Sequence, residues 1–215
     1  MRQVKIVLVD DHPLVRLGVR LQLSTCADLQ VCGEGDSNSD TLKLVEQHQP
    51  DLLILDIALK DGLAVQAVKQ VKSRYPDVRV LVLSGFEESL YGERVLRAGA
   101  SGYLNKQEAA SELLKAVRTV LQGNRYVSAD LSRRLIARAL GNVESVQDPV
   151  ELLTDRELEV FQLIGQGMTS SLIASRLHLS PHTIDSHREN IKRKLGAKDG
   201  AELNRKAVQW VLENR

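Results

Sequence analysis

Five side chains suited to metal or phosphoryl chemistry stand at or just beyond the ends of apolar runs. Asp10 and Asp11 follow Val4 to Val9, Asp56 follows Leu52 to Leu55, and Ser84 follows Val78 to Leu83. Lys106 closes the stretch that begins Gly102-Tyr103-Leu104. Taken singly, an acidic pair caps a helix and an Asp at a strand end starts a turn. As a set they describe a site. Three converging carboxylates repel one another unless a cation joins them. Oxygen-only ligands suit a hard ion such as Mg2+, which takes a few carboxylates together with waters and phosphate oxygens. A carboxylate is already ionised at neutral pH and can attack a phosphoryl group, giving an aspartyl phosphate. Mg2+ and Lys106 would neutralise the phosphoryl oxygens, and the Ser84 hydroxyl would hydrogen-bond one of them. A hydrolase would add a base aimed at water. His12 adjoins the acidic pair, but in His12-Pro13 at the start of a helix it reads as a loop or cap residue. The chemistry is that of a chain that accepts a phosphoryl group and holds it, not of an enzyme that turns one over.

The elements that must position these groups alternate. Val4 to Val9, Leu29 to Cys32, Leu52 to Leu55, Val78 to Leu83 and Gly102 to Leu104 read as strands. Pro13 to Leu23, Asp40 to His48 (Leu42, Leu44 and Val45 inward), Ala64 to Tyr75, Glu87 to Ala98 and Glu108 to Leu121 read as helices. Strand–helix alternation of this kind predicts a doubly wound α/β sandwich on a five-stranded parallel sheet. In such a sheet the ligand crevice lies beyond the carboxyl ends of the strands, where all five side chains fall.

A different pattern follows residue 122. Ser128 to Leu140 reads as a helix with Ser128 as its N-cap, and the polar, Gly- and Pro-broken stretch from Gly141 to Pro149 reads as linker. From residue 151 on everything is helical. Thr154 and Glu157 fit a capping box on a helix running to about Gln166, followed by Ser170 to Leu177, Pro181 to Leu195 and Ala201 to Leu212. Two helices joined by a tight turn, the second of them basic, describe a helix-turn-helix. The expected domains are thus 1–122, a linker 123–150 carrying the helix 128–140, and a second, smaller all-α domain 151–215.

Charge is informative only locally. The whole chain carries 29 basic and 28 acidic residues, a formal net of +1. Arg188, Lys192, Arg193, Lys194 and Lys198 against the single acid Glu189 give the segment 188–198 a net of +4, which on charge alone fits a polyanion site and a solvated helix face equally well. Ile184, Ile191 and Leu195 mark the inward face of that helix. Of the rest, Asp185, Ser186, Glu189 and Asn190 suit base edges. Thr183, His187, Arg188, Lys192, Arg193 and Lys194 suit the phosphate backbone. Asp185 and Glu189 would repel phosphates, so they must point into the groove or away from DNA. A 43% apolar content excludes a wholly disordered chain, and two cysteines, Cys26 and Cys32, exclude a disulfide scaffold and a four-cysteine metal site. No apolar stretch approaches the ~20 residues of a membrane span, and the start lacks the apolar core and cleavage site of a signal peptide. A soluble, cytoplasmic protein is expected.

Val7-Leu8-Val9-Asp10-Asp11-His12, Leu53-Ile54-Leu55-Asp56, Val82-Leu83-Ser84 and Gly99-Ala100-Ser101-Gly102-Tyr103-Leu104-Asn105-Lys106 resemble the receiver domain of bacterial response regulators. The resemblance implies that Asp56 is the phosphoacceptor. It further implies that Asp10, Asp11, Asp56 and the Ala58 carbonyl organise Mg2+, and that Lys106 contacts the phosphoryl group. The switch would be Ser84, whose hydroxyl swings toward the phosphate, and Tyr103, which turns inward. Three positions depart from the family pattern. Lys60 and Ala64 replace a frequent Pro and Gly, and Gln107 replaces the Pro that allows a cis bond after the lysine; here a cis bond would cost about 2.5–4 kcal/mol, so it is either trans or strained. Leu153-Thr154-x-Arg156-Glu157-x-Glu159-Val160, Ile173-Ala174-x-x-Leu177 and Ser180-Pro181-x-Thr183-Ile184-x-x-His187 resemble the LuxR-type DNA-binding domain. Joined to a receiver, this is similar to the NarL/FixJ family. That resemblance implies a sensor histidine kinase as phosphodonor and double-stranded promoter DNA as target. It also implies a homodimer on activation, aided by the last helix, with RNA polymerase as a further candidate partner. In the family the unphosphorylated receiver covers the recognition helix.

Overall fold

The computed structural model describes residues 3–140 and 149–213. The expected linker 141–149 therefore lies almost wholly outside the described residues. Contacts group the chain into two compact units, one up to Asn142 and the other from Val143 on. Among the described residues no helix is long and apolar enough to cross a membrane.

In the first unit the strands are β1 (Val4–Val9), β2 (Leu29–Gly35), β3 (Leu52–Asp56), β4 (Ala58–Leu59), β5 (Gly62–Leu63), β6 (Arg79–Ser84) and β7 (Gly102–Asn105). Interleaved with them are helices α1 (Pro13–Ser24), α2 (Asn38–His48), α3 (Val65–Arg74), α4 (Glu88–Arg97), α5 (Ala109–Leu121) and α6 (Ala129–Ala139). Five strands pair in the order β2-β1-β3-β6-β7, all parallel. Ile6 to Val9, Leu52 to Leu55 and Val80 to Leu83 are buried, as strands covered on both faces must be. On one face Leu8, Ile54, Leu81 and Leu104 pack with Leu113 and Val117 of α5 and with Val19 and Leu23 of α1.

The structure extends the expected elements in two places. Strand β2 runs on to Gly35, past a bulge at Cys32: Ile6 pairs with Val31, and Val7 pairs with Gly33. Gly33 and Gly35 look like breakers in the sequence. They are sites of close approach, because a Cβ at either would lie 2.8 Å from α2, on the His48 ring or on a Leu44 methyl. Beyond β3 the chain adds the antiparallel pair β4–β5. It settles the loop around Lys60 and Ala64: Lys60 pairs with Asp36, and Asp61 accepts the N–H groups of Asn38 and Ser39 at the start of α2. In α2 it is Thr41 and Val45 that are buried, with Leu42 and Leu44 half-buried.

The edge of the sheet at β7 is covered by the chain's own continuation. Tyr103 N–H donates to the Tyr126 carbonyl at 2.8 Å, and Tyr126 N–H to the Ser101 carbonyl at 3.1 Å. Ser128 then caps α6 through the Leu131 N–H at 3.0 Å. Helix α6 lies on α4 where Gly92 leaves room, since a Cβ there would meet a Leu131 methyl at 2.5 Å.

The second unit starts with a 3-10 turn (Pro149–Leu152), followed by α7 (Asp155–Gly165), α8 (Ser170–Arg176), α9 (Pro181–Leu195) and α10 (Gly200–Glu213). The Thr154–Glu157 capping box is present, Pro181 starts α9, and Gly196 ends it at φ 61°. Phe161 and Trp210 meet at 5.7 Å between ring centroids, joining α7 to α10. Gly165 makes this approach possible: a Cβ there would overlap the Ala207 carbonyl and lie 2.5 Å from a Val211 methyl. Gly165→Ala should therefore destabilise this unit by about 1–3 kcal/mol through overpacking. Urea unfolding followed by the single tryptophan, Trp210, reads the effect; an unchanged midpoint would contradict the packing.

Candidate functional site

Register brings the chemistry together. Val9 pairs with Leu55, Asp56 with Leu83, and Ser84 with Asn105, so Asp10, Asp56, Ser84 and Lys106 end adjacent strands at one rim of the sheet. Asp10, Asp56 and Ser84 are buried and Asp11 is half-buried. The Lys106 ammonium lies 2.7 Å from Asp10 Oδ2 and 2.7 Å from Asp56 Oδ2. Burial pushes the Asp56 carboxyl up to about 6, with Lys106 drawing it down and Asp10 pushing it further up. Burial also opposes the charge on Lys106, but the two carboxylates outweigh it and hold the ammonium above the usual lysine range.

Donor atoms of Asp10, Asp11, His12 and Asp56 all lie within 4.8 Å of one another. Around Mg2+, with oxygens at 2.0–2.1 Å, opposite ligands stand about 4.2 Å apart, so the carboxylates fit such an ion after shifts of a few tenths of an ångström. Asp10 Oδ2 faces the Lys106 ammonium and Asp11 Oδ1 faces the His12 ring, each at 2.7 Å, so three carboxylates share one ammonium and one imidazole. Ala58 opens β4, and its N–H donates to Asp56 Oδ1 at 3.3 Å. His12 takes the N-cap position of α1, but its side chain makes no cap hydrogen bond. Its Nδ1 turns to the carboxylates instead, 2.7 Å from Asp11 Oδ1 and 3.2 Å from Asp10 Oδ1. The sequence pointed to a loop or cap role and missed this contact.

The Ser84 Oγ accepts the Phe86 N–H at 3.0 Å, and the Ser84 carbonyl accepts the Lys106 N–H at 2.7 Å. Tyr103 is buried, its phenol raised by burial, and it lies within hydrogen-bonding reach of Ser84. Its hydroxyl donates to the Phe86 carbonyl at 2.7 Å. Phe86 in turn packs on Tyr91 of α4 with ring centroids 5.3 Å apart. Among the described residues no peptide bond is cis, so Lys106–Gln107 is trans.

On α9, Ile184, Ile191 and Leu195 are buried as the pattern predicts. Asp185, Ser186, Glu189 and Arg193 are exposed, while Thr183, His187, Arg188, Asn190 and Lys192 are half-buried. The Thr183 hydroxyl pairs with Ser180 at the cap, at 2.8 Å, and Arg188 donates to Asn204 Oδ1 at 3.1 Å. Asn190 Oδ1 accepts from Arg193 at 3.0 Å, and Lys192 stands 2.7 Å from Glu189. Lys194 is held differently from the others. Its ammonium lies 2.6 Å from Glu157 Oε2 and donates to the Leu152 carbonyl at 3.2 Å, so it faces α7. The reason is the buried Glu157: burial pushes its carboxyl up, and Lys194 with the Thr154 N–H outweighs that and holds it below the usual range. His182, exposed one turn before Ser186, joins the outward face and was missed. The wheel position opposite Ile184 and Ile191 would have revealed it.

Comparison with known proteins bears on both units. Residues 6–118 match the family described as response regulator receiver domain, and residues 151–207 match bacterial regulatory proteins, luxR family. The chain is similar to the transcriptional regulatory protein DegU of Brevibacillus brevis, with 33% identity over 225 residues covering 97% of this chain and 95% of that one. It is also similar to the oxygen regulatory protein NreC of Staphylococcus carnosus, with 33% identity over 217 residues covering 99% and 98%. Among solved structures, RcsB from Salmonella enterica serovar Typhimurium, bound to promoter rprA in the presence of phosphomimetic BeF3-, matches with a TM-score of 0.70 at 26% identity. That match covers 95% of this chain and 98% of that chain.

The carboxylate cluster makes cation binding measurable without any phosphoryl donor. Mg2+ at a hundredfold its Kd should stabilise the first unit by about 2.7 kcal/mol, and Asp11→Ala should lose that increment. Denaturant unfolding with and without Mg2+ checks this; an equal increment in the variant would contradict the cation site.

Proposed function

Because the chain belongs to the NarL/FixJ-type response regulators of two-component systems, which join a receiver to a LuxR-type DNA-binding domain, we propose that Asp56 is the phosphorylated switch of a promoter-binding protein. The observation that carries this is the Lys106 ammonium held 2.7 Å from both Asp10 and Asp56 at the rim of the sheet. A carboxylate oxygen of Asp56 attacks the phosphorus of a phosphohistidine on a sensor histidine kinase. The new O–P bond forms as the P–N bond breaks, and the imidazole leaves with a proton. Asp10, Asp11, Asp56 and the Ala58 carbonyl would hold Mg2+, which when bound neutralises phosphoryl oxygens. Lys106 supplies the second positive charge, and Ser84 turns its hydroxyl toward the new group. The chain accepts the group rather than turning it over; slow loss by hydrolysis resets it.

Moving Ser84 disturbs the partners it shares. Tyr103 and the Phe86 segment lead from the site to α4, where α6 docks at Gly92, and Tyr103 also carries the bridge to Tyr126. This continuity supports a two-state change that reaches the segment leading into the second domain, with the boundaries proposed as 1–122, 123–150 and 151–215. The phosphorylated form then dimerises, with α10 contributing, and α9 enters the major groove of promoter DNA. Recruiting or blocking RNA polymerase at that promoter is the regulatory output, exerted in the cytoplasm.

Two measurements test this. Affinity for promoter DNA should rise when beryllofluoride occupies the site, and Asp56→Asn should abolish the rise; equal affinity with and without beryllofluoride in the wild type would overturn the gating. Lys192→Ala should weaken binding to all sequences and reduce the slope of log affinity against log salt by about 1. An unchanged slope would remove Lys192 from the phosphate grip.

A further inference from the structure

Helix α9 has one buried side, built from Ile184, Ile191 and Leu195. At 3.6 residues per turn the opposite side is the row His182, Ser186, Glu189 and Arg193, spaced four, three and four residues apart. All four are exposed. A carboxylate stands in the middle of this row: the Glu189 side chain is 71% exposed and reaches outward. Beside it Lys192 lies flatter, 23% exposed, with its ammonium 2.7 Å from Glu189 Oε1.

An acid at the centre of a surface that meets DNA is unfavourable against phosphates. Lys192 offsets part of that repulsion, and on a helix laid in the groove the row opposite the buried side is the one that faces the base edges. What the carboxylate can meet there is limited by its chemistry, since once ionised it only accepts hydrogen bonds. Guanine presents N7 and O6, both acceptors, and thymine presents O4 and a methyl group. Adenine sets its N6 donor beside the N7 acceptor, which would repel the second carboxylate oxygen. Cytosine presents the N4 amine with no neighbouring acceptor on its own edge, and carboxylates pair with it.

We propose that Glu189 is a specificity-determining residue that reads the N4 amine of a cytosine, making a C·G pair a requirement at one position of each half-site. This rests on the reading of α9 as the groove-entering helix. The same carboxylate rejects the bases that offer acceptors at that position, so it contributes discrimination at the expense of affinity for DNA in general.

That opposition of signs is the test. Full-length protein, Glu189→Gln and Glu189→Ala are each used to select duplexes from a random library, and the selected and single-base-changed duplexes are then titrated. The wild type should select an invariant C·G pair and lose roughly five- to hundredfold in affinity when it is replaced. Glu189→Gln, which gains an amide donor, should move the preferred base to adenine and bind unrelated DNA more tightly than the wild type does. Glu189→Ala should lose discrimination at that one position alone. A purely structural role would not raise affinity for unrelated DNA, and the exposure of the side chain leaves the fold intact. Identical selected sequences with identical discrimination for all three proteins would overturn the inference while leaving DNA binding standing. A wild type that binds no duplex would overturn both this inference and the reading beneath it.

Discussion

One ammonium organises the first unit's site. Asp10 and Asp56 terminate neighbouring parallel strands, so their carboxylates are forced together in a buried rim where like charges repel strongly. Lys106, arriving from the end of β7, is the cation that lets both remain. The arrangement is balanced rather than satisfied: Asp11 adds a third carboxylate to a rim that holds one ammonium. A rim with spare negative charge is compatible with a divalent ion.

From that balance the route to the rest of the domain is short. Lys106 is tied through its own N–H to the Ser84 carbonyl, and Ser84 shares the Phe86 segment with Tyr103. The strand carrying Tyr103 is the sheet edge on which the Tyr126 segment rests. The strand that ends at the Asp56 pocket is therefore the one whose backbone carries the covering segment. In the second unit a similar economy holds. Glu157 serves the capping box and binds Lys194, fixing the start of α7 against α9.

Much of this was legible in the sequence, for physical reasons that also explain what was not. Strands β1, β3 and β6 are covered on both faces, so they appear as unbroken apolar runs, and the chemical groups stand at their ends. The second half of β2 was hidden because Gly33 and Gly35 resemble loop residues, whereas they are glycines because α2 presses against them. The β4–β5 pair was invisible because two-residue strands carry no periodicity. The ion pairs of His12 and Lys194 were hidden for one shared reason: local rules place a helix-start histidine at the cap, where His12 does stand, and a basic run in solvent or on DNA. The partners that decide otherwise, Asp11 in one case and Glu157 in the other, are chosen by three-dimensional geometry. Capping at Ser128, Thr154 and Gly196 could be read because it depends only on nearest neighbours in the chain.

The central claim is that the carboxylate rim receives a phosphoryl group on one particular side chain with the help of a divalent ion. Peptide-level mass spectrometry of the chain after treatment with a small-molecule acyl phosphate, with and without chelator, tests it most directly. The account predicts a single added phosphoryl group on the peptide containing Asp56, formed only when Mg2+ is present. A phosphoryl group on any other side chain, or equal labelling of Asp56 under chelation, would contradict it.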